Sequence, residues 1–125
     1  MAALLADDVV FTSPVAFKPY VGKPITAAIL RGVLRIFEDF RYVREIGDGD
    51  CRDHALVFET GIAGAPGVKV TGCDFLHFND DGLIDEFMVM VRPLSGATAL
   101  SEKMGAQFDR IQREAVELAN QFANA

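Results

Sequence analysis

Three stretches of alternating side chains, joined by tight turns, constrain the fold of this chain most. They cover residues 51–62, 68–78 and 83–92, and the joining segments AGAPG (63–67) and NDDG (79–82) are rich in turn-forming residues. Successive side chains of a strand point to opposite faces, so such runs form neighbouring strands connected by hairpins. The sequence therefore predicts an antiparallel sheet as the centre of the fold.

Helical patterns lie on both sides of these strands. Residues 24–38 repeat apolar side chains at helical spacing and open with a proline, which suits the first turn of a helix. Residues 98–123 carry one continuous apolar stripe, which predicts a single long C-terminal helix that must cover hydrophobic surface. Residues 1–6 resemble the last turn of a helix, 7–14 a short strand and 40–46 another. Helices on both sides of a run of strands indicate an α+β fold.

Length, composition and charge limit the possible classes of protein. With 125 residues, half of them apolar, the chain is expected to form one globular domain over 1–125. The formal charge of −6 argues against nucleic acid and anionic membranes as partners, and no apolar stretch approaches the roughly 20 residues of a membrane span. The acidic opening argues against an export signal, and Cys51 and Cys73 lack the spacing of a zinc or redox motif. We therefore expect a cytoplasmic protein with free thiols.

One carboxylate interrupts an otherwise oily row on the strand 68–78. Every second residue of this strand shares one face, and the row reads Val68, Val70, Gly72, Asp74, Leu76, Phe78. A four-residue NDDG turn would place Asp74 opposite Phe87, with Val89 and Val91 continuing the row on the next strand. Burial in such company disfavours a charge, so the pKa of Asp74 is expected to lie above the usual ~3.9.

The opposite face of the same strands is also rather apolar. Cys73 and Phe75 share it with Ile84, Met88 and Met90. A sheet that is apolar on both faces has to be covered on both. We therefore expect helices on one side and, on the other, a partner subunit or the C-terminal helix. If a partner subunit of the same kind covers it, the protein is a homodimer through the face that carries Phe75, Met88 and Met90.

Three segments of the chain resemble the NTF2-like superfamily, in its ketosteroid isomerase and SnoaL-like branch. They are ALLADDVVFTSP, the Gly-Lys-Pro that opens the first helix, and CDFLHFNDDGLIDEFMVMVRP. The match runs in order over residues 2–94. The resemblance implies a strongly curved antiparallel sheet wrapped by helices into a cone (a cystatin-like α+β barrel), with an apolar pocket for a hydrophobic small molecule. It implies no metal and no organic cofactor, and often a homodimer.

The resemblance also suggests roles for single residues. In ketosteroid isomerases, a carboxylic acid on the strand before the hairpin stays protonated and donates a hydrogen bond to the substrate oxyanion, and Asp74 falls on that position. The general-base aspartate of that family lies just before the proline that ends the first strand, where this chain has Ser13. The tyrosine donor lies on a first helix that is almost absent here. These two departures argue against steroid-type isomerisation.

Other branches of the superfamily imply other catalytic groups. Limonene epoxide hydrolases use an Arg-x-Asp pair, which the adjacent Arg52 and Asp53 cannot reproduce, because neighbouring residues of a strand point to opposite faces. SnoaL-type cyclases use an aspartate and a histidine. A tight AGAPG turn would bring His54 within one or two positions of Asp74, so these two residues are the candidate catalytic pair.

The remaining candidates line the expected pocket, and two function classes stay open. The lining residues are expected to be Ser13, Phe58, Thr60, Val70, Gly72, Leu76, Phe87, Val89 and Val91. The protein is either an isomerase, cyclase or dehydratase acting on a hydrophobic carbonyl compound, or a non-catalytic binding or interaction module. Asp74 could equally be a structural buried carboxyl and His54 an exposed rim residue, while Tyr42 faces either the pocket or solvent.

Overall fold

The computed structural model describes residues 2–124 and has a curved, open six-stranded sheet at its centre, in the order β2-β1-β6-β5-β4-β3. The strands are β1 (Leu5–Thr12), β2 (Tyr20–Val21), β3 (Phe37–Ile46), β4 (Asp53–Ile62), β5 (Lys69–Phe78) and β6 (Ile84–Arg92). The helices are α1 (Lys23–Ile36), α2 (Leu94–Ala106) and α3 (Phe108–Ala123), and a 3-10 turn spans Ala2–Leu4. The predicted α+β class is confirmed.

The sheet departs from the expected antiparallel pattern at one place. β3, β4, β5 and β6 pair antiparallel in chain order, whereas β1 lies parallel to β6. β1 also begins at Leu5, so part of the helical turn expected over 1–6 is strand, and residue 1 lies outside the described residues. The parallel pair places the N-terminal strand beside the hairpin that carries Asp74.

The C-terminal segment forms two helices instead of the expected single one. The backbone of Gln107 leaves helical geometry, with φ −113° and ψ 13°, and separates α2 from α3. Its side-chain amide donates a hydrogen bond to the Gly32 carbonyl at 2.7 Å and accepts one from Arg35 Nε at 2.9 Å. Because these bonds anchor the junction to α1, the apolar stripe continues across the break, and Leu100, Ile111 and Leu118 are all buried.

The hairpin between β5 and β6 is shifted by two residues from the predicted register. Asp74 lies opposite Val89 and not Phe87, because five residues (79–83) connect the strands and a β-bulge at Asp85 follows. The shift is even, so Asp74, Phe87 and Val89 still share a face. The bulge turns Ile84 into the core, although we expected it on the opposite face, and directs Asp85 towards His77.

The helices cover one face of the sheet, here called the inner face, which carries Phe58, Asp74 and Phe87. The main hydrophobic core lies between this face and α1 and α3, and a second cluster forms around Phe58 and Leu100. The outer face carries Cys73, Phe75, His77, Met88 and Met90, and Phe75 and Met90 remain exposed. Within residues 2–124, the helices are too short or too polar to cross a membrane.

Candidate functional site

A cavity of about 390 Å³ lies between the inner face and the helices. Its wall is formed by β1 and the segment after it, by α1, by the inner strands and by the C-terminal helices. The lining residues are Phe11, Ser13, Pro14, Val15, Ala16, Tyr20, Ile29, Leu30, Val33, Leu34, Phe37, Phe40, Tyr42, Phe58, Asp74, Phe87, Val89, Val91, Leu100, Ser101, Met104, Gly105, Phe108 and Ile111. Among these described residues, the carboxyl of Asp74 is the single acidic or basic group apart from the tyrosine hydroxyls.

Asp74 and Tyr42 form a hydrogen-bonded pair in the wall of this cavity. The Tyr42 hydroxyl donates to Asp74 Oδ2 at 3.2 Å, and Asp74 is only 7% exposed. Burial raises the pKa of Asp74 to about 6, and the hydrogen bond from Tyr42 opposes that rise. Burial, followed by the charge of Asp74 and the hydrogen bond to it, raises the pKa of Tyr42 to about 12.

These pKa values decide the protonation state of the pair. The pKa of Asp74 moves in the direction expected from its apolar row, but a value of about 6 leaves most of the carboxyl ionised at neutral pH in the free protein. Asp74 accepts the hydrogen bond from Tyr42. The sequence suggested a neutral or shared-proton acid that donates a hydrogen bond to a ligand oxygen, which stays a prediction. A carboxylate with a pKa close to neutrality can both take up and release a proton.

An irregular segment of β3 around Asp39 explains why Tyr42 reaches Asp74. Phe37 and Phe40 are three residues apart, yet both line the cavity, because β3 is irregular between them and Asp39 adopts a φ of 55°. From Phe40 onward the alternation places Tyr42 inward, opposite Phe58 of β4. Sequence periodicity left the orientation of Tyr42 open, since a bulge reverses the face of every residue that follows it.

His54 does not join Asp74 in the cavity. It pairs with Leu76 in the β4–β5 ladder, two residues beyond the pairing of Leu56 with Asp74. Its Nε2 contacts the Cys51 carbonyl oxygen at 2.9 Å, and its ring packs on Phe78 with 5.3 Å between centroids. His54 and Asp74, both in the described part of the chain, share no hydrogen bond or ion pair. The expected Asp–His dyad is therefore replaced by an Asp–Tyr pair.

The structure brings only some of the expected lining residues to the cavity. Ser13, Phe58, Phe87, Val89 and Val91 line it. The Ser13 hydroxyl accepts a hydrogen bond from the Val15 backbone N–H at 3.1 Å, which shapes the segment after β1 and does not activate a base.

Four residues expected to line the cavity lie elsewhere. Gly72 is covered by the ring of Phe58, whose Cζ would lie 2.2 Å from any Cβ at position 72. Val70 packs into the cluster around Phe58, and the Thr60 hydroxyl donates to the Glu38 carbonyl oxygen at 3.0 Å. Leu76 lines a second depression, at the edge that holds His54. These positions share the face of Asp74, but neighbouring side chains separate them from the cavity.

The sequence interpretation missed the helical part of the wall. Val33 and Leu34 of α1, Met104 of α2 and Phe108 of α3 all face the cavity. The apolar stripe of 98–123 contains Met104 and Phe108, and it was the available signal. It predicted that these residues face the inside of the fold, but not that part of the stripe borders an open space.

A separate cluster of metal-ligating side chains lies at the end of β5 and β6. The ligand atoms of His77, Asp85 and Glu86 lie within 4.8 Å of one another. His77 Nδ1 and Asp85 Oδ1 are already paired at 2.6 Å, and Glu86 is exposed. None of these three residues lines the cavity that holds Asp74.

A sequence model of the SnoaL-like domain matches residues 1–87. The chain belongs to this family. It is 42% identical to a steroid delta-isomerase from Pseudomonas aeruginosa, over 90% of this chain and 80% of that one, with a TM-score of 0.80. It is also 37% identical to an uncharacterized protein with a cystatin-like fold from Silicibacter pomeroyi DSS-3, over 85% of this chain and 72% of that one, with a TM-score of 0.79.

More distant structures share the fold of this SnoaL-like protein. A putative polyketide cyclase from Xanthomonas campestris pv. campestris superposes with a TM-score of 0.62 at 16% identity, over 81% of this chain and 82% of that one. No curated protein matches the sequence. The predicted membership of the SnoaL-like and ketosteroid isomerase-like branch of the NTF2-like proteins is therefore confirmed.

Proposed function

We propose that this SnoaL-like protein binds a small, uncharged, hydrophobic carbonyl compound and catalyses proton transfer on it without a cofactor. The observation that carries this proposal is the hydrogen bond from Tyr42, which is 47% exposed, to the buried Asp74 in the wall of an otherwise apolar cavity. The reaction would be an isomerisation or a cyclisation of the kind catalysed through an enolate. The cavity volume of about 390 Å³ lies within the range of about 300–1,000 Å³ that is typical of small-molecule sites.

The pair has the properties that such a step needs. The Asp74 carboxylate, with a pKa of about 6, removes a proton from the carbon next to the carbonyl group. Negative charge then develops on the carbonyl oxygen of the ligand, and the Tyr42 hydroxyl, which stays protonated at neutral pH, donates a hydrogen bond to it. Asp74 returns its proton to another carbon of the same molecule, so no net proton is consumed.

The hydrogen bond between Tyr42 and Asp74 couples the removal of the proton to the stabilisation of the ligand oxygen. While Asp74 is ionised, it is the better acceptor for the Tyr42 hydroxyl, at 3.2 Å. Once Asp74 has taken a proton, the negative charge lies on the ligand oxygen, and the hydroxyl turns to that oxygen. An apolar wall that excludes water strengthens both interactions. The similarity to a protein described as a steroid delta-isomerase supports an isomerase of this kind.

A non-catalytic binding module is the second candidate. The side chain of Ser13 supports it, because the hydroxyl at the position of the family's base holds the Val15 backbone and cannot abstract a carbon-bound proton. This alternative keeps the cavity and its ligand, and assigns Asp74 only a role in binding.

The decisive experiment combines ligand binding with turnover on a panel of β,γ-unsaturated ketones, from cyclohexenone size to steroid size. Conjugation of the double bond is followed by ultraviolet absorbance. We expect Asp74→Asn to lower kcat/KM by about 100-fold or more and Tyr42→Phe by about 10- to 100-fold. His54→Ala is the control and should stay within about twofold, because its ring lies outside the cavity wall. Binding without turnover by the wild type would favour the binding module, and no binding at all would refute both.

We also propose that the protein is a homodimer through the outer face. Phe75 is 38% and Met90 54% exposed, and Met88 pairs with Phe75 across β5 and β6, two residues before Met90. The C-terminal helices pack on the inner side, so in this chain they leave that face open. A second copy of the same face would cover the apolar side chains of both protomers.

A further inference from the structure

The cavity holds one negative charge and no positive one to balance it. Among its lining residues, all within the described part of the chain, there is no Lys, Arg or His. Asp74 Oδ2 accepts the Tyr42 hydroxyl, whereas no hydrogen bond from a described residue reaches Oδ1. Only 7% of Asp74 is exposed, and this second oxygen is an acceptor at the cavity wall. A buried carboxylate in this state favours a ligand that brings a positive charge.

Aromatic rings surround the same end of the cavity. Phe40 lies edge-on to Tyr42 at 4.9 Å and tilted against Phe58 at 5.1 Å, and Phe37 stacks on Phe40 at 5.7 Å between centroids. All four rings line the cavity together with Asp74. The face of an aromatic ring is electrically negative and attracts cations, by about 2 kcal/mol or more when water is excluded. The carboxylate of Asp74 and the aromatic rings therefore both favour a positively charged ligand.

We propose that this cavity binds cationic amines that carry apolar substituents, with the charged nitrogen beside Asp74 and among the rings of Phe37, Phe40 and Phe58. The inference goes beyond the proposed function, which concerns an uncharged carbonyl compound, although it rests on the same cavity. The apolar substituents would lie against α1 and the C-terminal helices. Molecules of the same shape with a negative charge are excluded by the same two features.

Asp74 is the group whose ionisation controls this binding. From β3 the hydroxyl of Tyr42 faces it, β4 places Leu56 opposite it, and β6 places Val89 opposite it. The helices contribute apolar side chains and Ser101 to the cavity. The adjacent Cys73 lies on the outer face, and burial, followed by the charge of Asp74, raises the pKa of its thiol. The pKa of Tyr42, about 12, keeps its hydroxyl protonated throughout the range tested.

The test is isothermal titration calorimetry with three probes of closely similar shape. They are benzyltrimethylammonium, whose charge does not depend on pH, the neutral neopentylbenzene, and the anion phenylmethanesulfonate. We expect the cation to bind about tenfold more tightly at pH 7.5 than at pH 5, because the ionised fraction of a group with a pKa of about 6 rises about tenfold over that range. The neutral probe should show the opposite trend, since it favours the protonated carboxyl, and the anion should not bind.

Two variants and one control complete the test. Asp74→Asn should remove the pH dependence and weaken cation binding at pH 7.5 by about tenfold or more. Tyr42→Phe should leave cation affinity at pH 7.5 within about threefold and move the midpoint to higher pH, because the hydrogen bond from Tyr42 lowers the pKa of Asp74. Asp85→Asn, which changes a carboxylate of the outer face, should bind like the wild type.

The outcomes separate this inference from the proposed function. A neutral probe that binds while the cation binds weakly, or independently of pH and of Asp74, overturns the amine inference and leaves the carbonyl proposal standing. If neither the neutral nor the cationic probe binds, and the ketone panel does not bind either, both are refuted. Tight binding of the anion would contradict the charge argument itself.

Discussion

The two faces of the hairpin formed by β5 and β6 carry similar residue types and place them in different surroundings. On the inner face, helices exclude water from Asp74, and the pKa of its carboxyl rises to about 6. On the outer face, Asp85 is 29% exposed at its side chain and forms an ion pair with His77 that solvent can screen. The difference teaches that the covering helices, and not the presence of a carboxylate, create the candidate reactive group.

The largest contrast concerns two phenylalanines on neighbouring strands. Phe58 is 1% exposed on the inner face and Phe75 is 38% exposed on the outer face. Phe58→Ala should lower the free energy of unfolding by about 3–5 kcal/mol, because it leaves a cavity in the core. Phe75→Ala should cost less than about 1 kcal/mol in dilute protein and should weaken self-association. Urea denaturation and sedimentation velocity measure the two effects.

This contrast can fail in two ways. Equal losses of stability at both positions in the dilute protein would show that the outer face is packed like the inner one. A wild-type protein that sediments as a monomer at tens of micromolar would remove the proposed homodimer.

The second contrast is the response of the two faces to pH. The pKa of Asp74 is raised to about 6 from the ordinary 3.8, so the folded protein holds more protons than the unfolded chain between these values. The free energy of unfolding should therefore fall as pH rises from about 4 to about 6, by at most about 3 kcal/mol. Asp74→Asn should lack this fall and be more stable than the wild type at pH 7. Denaturation at several pH values measures it, with Asp81→Asn in the exposed turn as control.

The free energy of unfolding of the wild type could instead stay level between pH 4 and pH 6, with Asp74→Asn no more stable than the wild type at pH 7. This result would mean that water reaches Asp74. The inner face would then resemble the outer one, and the proposed reactivity of the carboxylate would lose its basis.

The smallest expected effect concerns the outer-face pair. The hydrogen bond that His77 Nδ1 donates to Asp85 Oδ1 at 2.6 Å, together with nearby acidic groups, raises the pKa of His77 above 6.5. The stabilisation that this provides is fully present below pH 6.5 and is lost as pH rises through the raised pKa. Asp85→Asn should therefore lose slightly more stability at pH 6 than at pH 9. In NMR titrations the midpoint of His77 should move to lower pH, and an unchanged midpoint would show that the pair does not hold its proton.

Local patterns in the sequence predicted much of the architecture. Alternation over 51–62, 68–78 and 83–92 predicted three strands within a few residues of their observed bounds, because period two reports which side chains face a core. The same pattern placed Asp74 on the buried face without knowledge of its partners. An even error in the hairpin register left that face intact, whereas the bulge at Asp85 changed the face of Ile84.

Sequence by itself determined that Asp74 is a carboxyl in an apolar row, and so that its pKa rises. Tertiary structure decided what surrounds it. The irregular segment at Asp39 turns Tyr42 inward, the ladder steps His54 away, and Gln107 bends the C-terminal helices over the cavity through bonds to α1. Periodicity records only which side of an element is buried. Whether two buried groups touch depends on bulges, register and long-range hydrogen bonds, whose partners lie 32 residues apart for Tyr42 and Asp74 and 75 apart for Gln107 and Gly32.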